Sequence, residues 1–102
     1  MTDRELLEKA AKAAGIELNG AALGTMYMED AQWVMWNPLT DDRDALRLAV
    51  NLEISLWQAG DDAVADHDAL GPKMREPYNG DPYAATRRAI VRAAAEIGKS
   101  MP

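Results

Sequence analysis

The chain has 102 residues, 48% of them hydrophobic, with no Cys, no Phe, one His and a net charge of −6. That length holds one domain with one modest core. The missing Cys excludes a disulfide scaffold and thiolate-held zinc, no apolar run approaches the ~18 residues of a membrane span, and the charged start MTDRELLEK is unlike a signal peptide, so a soluble, intracellular protein is expected.

Thr2-Asp3-Arg4-Glu5 reads as a capping box, with Glu5 three residues after the N-cap Thr2. Leu6, Leu7, Ala10, Ala11, Ala13 and Ala14 follow at helical spacing, and Gly15 is a stop signal, so a first helix is expected over 3–14. Asn19-Gly20 is turn chemistry. LGTMYM, 23–28, suits a strand, and Glu29-Asp30 a hairpin tip. AQWVMW, 31–36, is the densest apolar run in the chain. Strand side chains alternate between faces, and here both faces are apolar, which predicts a central strand covered on two sides by helices. The competing reading is that one Trp lines a ligand or partner surface.

Asn37-Pro38 ends that strand, and Thr40 or Asp41 caps a second helix. Asp41, Asp42 and Asp44 in its first turn suit the positive end of the helix dipole and need no metal. Ala45, Leu46, Leu48, Ala49, Val50 and Leu52 form a wide apolar arc, with Arg43, Arg47 and Asn51 opposite. LEISLW, 52–57, alternates and reads as a third strand with Glu53, Ser55 and Trp57 on its open face. Residues 58–80 read mainly as loop, with a short strand possible at 63–65. Asp81-Pro82 is a strong helix start. The last helix is expected over 82–97, with Tyr83, Thr86, Ile90, Ala93, Ala94 and Ile97 as its buried stripe and Gly98 as its stop. The order predicts an α/β (α+β) three-layer sandwich: a small, mainly antiparallel sheet of three or four strands with helices on both faces.

The chemistry-bearing patterns are few. No G-x-S-x-G elbow, P-loop or G-x-G-x-x-G occurs, and one His cannot assemble a zinc site. Asp66-His67-Asp68 could bind a metal, or Asp could raise the His pKa, but neighbours in a strand face opposite ways and in a loop are simply solvated. The Asp61, Asp62, Asp66 and Asp68 cluster lacks the Gly and Glu of a calcium loop. No catalytic residue, metal or cofactor is assigned. The charge is uneven: residues 1–70 carry 14 acids and 5 bases, residues 71–102 carry 3 acids and 6 bases. An acidic body disfavours direct nucleic-acid binding and suits a basic partner.

Three segments carry a resemblance: MTDRELLEKAAKAAGI, WNPLTDDRDALRLAV and DPYAATRRAIVRAAAEIGKSM. Together they resemble a group of small, uncharacterised proteins encoded in bacteriophages and prophages of proteobacteria, similar to the phage α-β-α sandwich domain. Arg43 stands where that pattern has Gly after the paired Asp. The resemblance implies an α-β-α fold, a phage context and no catalytic residues. Segments 17–32 and 53–80 are where such proteins differ, so target contacts are expected there.

These readings lead to a non-enzymatic phage accessory protein in the cytoplasm of a bacterial host. It would bind a host protein, most concretely as an anti-CRISPR-like inhibitor of a defence system. An acidic inhibitor can fill a basic nucleic-acid channel, and the candidate contacts are Glu29, Asp30, Asp61, Asp62, Asp66 and Asp68. The alternative is a small-ligand protein, such as a sponge for a signalling nucleotide, with Trp36 or Trp57 stacking and Arg88 and Arg92 holding phosphate. A carboxylate hydrolase would need two acids in one cleft. A homodimer through a strand edge is also compatible with the pattern.

Overall fold

A computed structural model describes residues 2–18, 26–67 and 73–102. Its elements are α1 (Asp3–Ala14), β1 (Met26–Glu29), β2 (Gln32–Met35), α2 (Asp42–Asn51), β3 (Ser55–Ala59), β4 (Asp62–Asp66), β5 (Met74–Pro77) and α3 (Pro82–Lys99). The fold is α+β, with helices packed against an antiparallel sheet.

The helix ends are set by local chemistry. Thr2 and Glu5 complete the capping box at α1, which also lowers the Glu5 pKa through the Thr2 hydrogen bonds. At the other end the Gly15 N–H donates to Lys12 and the Ile16 N–H to Ala11, both bonds of a Schellman cap. Asp41 caps α2 by accepting the Arg43 N–H. Ahead of it, Asn37-Pro38-Leu39-Thr40 forms a tight turn: the Asn37 side chain accepts the Leu39 N–H, and its carbonyl accepts the Thr40 and Asp41 N–H groups. Asp81 caps α3 through the Ala84 N–H, with Pro82 at the first helical position.

The strands form two sheets. β1 and β2 make a hairpin by themselves, Tyr27 opposite Val34. β3, β4 and β5 make an antiparallel sheet in that order, with Trp57, Val64 and Arg75 aligned across it. This corrects the expectation for AQWVMW. Its strand portion is not the centre of a covered sheet, and Met35 is 72% exposed. Trp36, just past the strand, reaches the core, at 3% exposure. The central strand is DAVAD, where Ala63, Val64 and Ala65 are all buried.

α3 lies directly on the three-stranded sheet, and α1 and α2 lie against α3 rather than across the sheet from it. The seam between helices is rich in small residues: Ala10 and Ala11 on α1 meet an α3 that buries Ala94, Ala95 and Gly98. A Cβ added at Gly98 would collide with the Lys9 carbonyl, so the glycine serves close approach. α3 accordingly runs through Gly98 to Lys99, past the stop expected there. The pair is parallel: Arg88 meets Asp3 near one end, and Lys12 donates to the Met101 carbonyl near the other.

Candidate functional site

Two hairpin turns carry exposed acids. The β1–β2 turn is Asp30-Ala31, with φ of 50° and 63°, the twin left-handed geometry of a type I′ turn. That geometry holds Asp30 out in solvent. The side chain of Glu29, beside it, lies outside the described residues. The β3–β4 turn is Gly60-Asp61, with Gly60 at φ 63° supplying the bend and Asp61 exposed at the tip.

The four aspartates expected to act together are divided by β4. Asp61 and Asp62 lie at the turn and Asp66 at the far end of the strand, ~13 Å away at ~3.3 Å per residue. Asp62 is already engaged, its carboxylate 2.8 Å from the Arg75 guanidinium. Asp66 and His67 are half-buried, and Asp68 lies outside the described residues. Among the described residues of the sheet Asp61 is the exposed acid, where the sequence suggested a patch. Among the described residues no group of three or more acidic or His side chains is placed to hold a metal ion.

The alternative ligand residues are dispersed as well. Trp36 is packed in the core, so its face is not open for stacking. Trp57 is half-exposed on the face of the sheet opposite Leu56, with the Lys73 ammonium 5.2 Å from the ring centre. Arg88 and Arg92 are on the helix side, away from both. They straddle one carboxylate: Glu76 Oε1 is 3.2 Å from Arg88 Nε, and Oε2 is 2.8 Å from Arg92. Arg88 also reaches Asp3 on α1 at 3.1 Å. Glu76, Arg88, Arg92 and Glu96 line a cleft of about 370 Å³ between α1, α3 and β5. Glu76 sits where a phosphate would have to bind, so the basic face of α3 is neutralised from within the chain. This arrangement is not legible in the sequence, where Glu76 falls in a segment that reads as loop.

A second feature was missed. A groove of about 360 Å³ runs between α2, α3 and β3, lined by Leu46, Leu56, Tyr83 and Ile90 on its apolar side. Asp42 and Arg87 close one end, paired at 2.6 Å, and Arg87 also donates to the Leu39 carbonyl at 2.8 Å. Tyr83, expected in the buried stripe of α3, is 71% exposed at the groove rim. Leu46 and Val50 are likewise the uncovered part of the apolar arc of α2. The signal was the width of that arc, which exceeds what one neighbouring helix covers.

Comparison of the chain with protein-family models, with curated proteins and with solved structures gave no match. Among the described residues no helix is long and apolar enough to cross a membrane.

Proposed function

We propose that this chain is a phage accessory protein that binds a host protein without catalysis, most concretely as an anti-CRISPR-like inhibitor acting in the bacterial cytoplasm. The observation that carries this reading is the pair of exposed aspartates, Asp30 and Asp61, held out on two tight hairpin turns of a chain with net charge −6. Carboxylates on short, stiff turns lose little freedom on binding and suit a surface that otherwise holds phosphate. The nucleotide-sponge alternative has less support, since Trp36 is in the core and Glu76 already occupies Arg88 and Arg92.

The test is an affinity pull-down from bacterial host extract with tagged protein, at low and moderate salt, read by mass spectrometry. A single host complex is expected, weakening as salt rises. The Asp30→Asn, Asp61→Asn double variant should lose it while keeping its fold by circular dichroism. Recovery of no host protein at either salt, or a complex indifferent to both substitutions, would overturn the reading.

A further inference from the structure

The two edges of the three-stranded sheet differ in kind. β5 is MREP, with an Arg, a Glu and a Pro, the residues that guard an edge against further pairing. β3 is SLWQA, with no charge and no Pro, and it has a neighbour on one side only among the described residues.

The hairpin register says which backbone groups that edge offers. Residues flanking a two-residue turn exchange both hydrogen bonds, and such pairs alternate along the ladder. Ala59 with Asp62, Trp57 with Val64 and Ser55 with Asp66 are then the bonded pairs. The N–H and C=O groups of Leu56 and Gln58 point away from β4, into the open edge. The side chains of these two residues line the groove under α2.

Exposed apolar side chains lie on both sides of this edge, with Leu46, Leu56 and Tyr83 at the groove and Trp57 on the opposite face of β3. Leu46, Val50, Leu56, Trp57 and Tyr83 are each between 38% and 71% exposed. At ~200 Å² for a fully exposed large side chain they present roughly 500 Å². Doubled by a two-fold axis, and with the strand backbone added, that reaches the ~1,200 Å² at which specific interfaces begin.

The geometry points to a homodimer in which β3 of two copies pair antiparallel about an axis at Trp57, joining two three-stranded sheets into one of six strands. In this register Leu56 of each copy lies opposite Gln58 of the other, and all four outward backbone groups of each are satisfied. Trp57 faces its own copy as a non-bonded pair, the closer of the two antiparallel spacings, where aromatic pairs contribute most. The second copy closes the open side of the groove and covers Leu46. Beyond the paired strands, the corner that carries Glu53 in one copy comes beside the turn that carries Asp61 in the other, like charges between molecules that are each acidic. Added salt therefore tightens the dimer.

Sedimentation equilibrium of the full chain, over a concentration series at low and high salt, tests this. A monomer–dimer equilibrium strengthened by salt is expected. Gln58→Pro removes an outward N–H without touching the β4 ladder, and Leu46→Lys charges the groove rim without touching the strand. Each should weaken the dimer at least about tenfold, with circular dichroism unchanged, while Met35→Lys, on the separate hairpin, should leave it intact. A monomer throughout, a dimer that survives both substitutions, or one that weakens with salt would overturn the inference. The proposed host complex has the opposite salt dependence, so the failure of one is distinguishable from the failure of the other.

Discussion

Glu53 sits at φ 55° just after α2, where its N–H donates to the Val50 carbonyl and the Ile54 N–H to Ala49. This is the Schellman geometry found at Gly15, but built on a residue with a Cβ, which makes the left-handed conformation costly. Glu53→Gly is expected to stabilise the fold by about 1 kcal/mol in chemical denaturation; no gain would mean that the strain is relieved elsewhere. Tyr78 presents a different cost. Its hydroxyl is buried without a hydrogen-bond partner among the described residues, so Tyr78→Phe should be neutral or stabilising by up to ~1 kcal/mol, and a clear loss on thermal melting would reveal a partner. Asp44 accepts the Asn37 N–H at 2.9 Å, yet burial pushes its pKa up, with the charge of Asp41 adding to the shift. A raised carboxyl pKa means that the folded state holds the proton more tightly than the unfolded state. Its contribution to stability is therefore fullest below the ordinary carboxylate pKa of ~3.9 and is lost as pH rises through the folded value. Asp44→Asn keeps an oxygen for Asn37 and cannot titrate. The stability of the variant relative to the parent should climb as pH rises past the ordinary carboxylate pKa of ~3.9 and level off once Asp44 is ionised in the folded state; a difference that stays flat with pH in denaturation curves would contradict the assignment.

At the scale of elements, the sequence was readable wherever an end was marked by a residue of the usual type. α1 was expected over 3–14 and occupies Asp3–Ala14, because a capping box and a glycine bracket it. The α3 start at Asp81-Pro82 is equally legible. The third strand was placed from 52, yet β3 begins at Ser55, since Glu in a left-handed cap gives no signal in a sequence. AQWVMW misled for a tertiary reason: alternation shows that both faces are apolar, but not that Trp36 turns into the core while Met35 stays in solvent. The same limit applies to the candidate site. Acids can be counted in a sequence, but that β4 separates Asp61 from Asp66, or that Glu76 straddles Arg88 and Arg92, is a matter of strand register. Gly98 is the sharpest contrast with Gly15, since one stops a helix and the other lets two helices touch. Gly98→Ala should cost about 1–3 kcal/mol through overpacking against Lys9, seen as a lower urea midpoint. An unchanged midpoint would show that α1 can slide away freely.

At the scale of the whole molecule, two helices far apart in sequence close against each other. α1 and α3 share the largest helix–helix seam, although the chain between them makes every other element. Synthesis runs at ~5–20 residues per second, so α1 emerges on the order of ten seconds before α3 exists. Throughout that interval Leu6, Leu7, Ala10 and Ala11, all buried in the finished protein, have no α3 to cover them. The ribosome thus releases α1 well before the helix that covers it, and a nascent chain stalled before Pro82 would offer that apolar stripe to chaperones and proteases rather than to its own core.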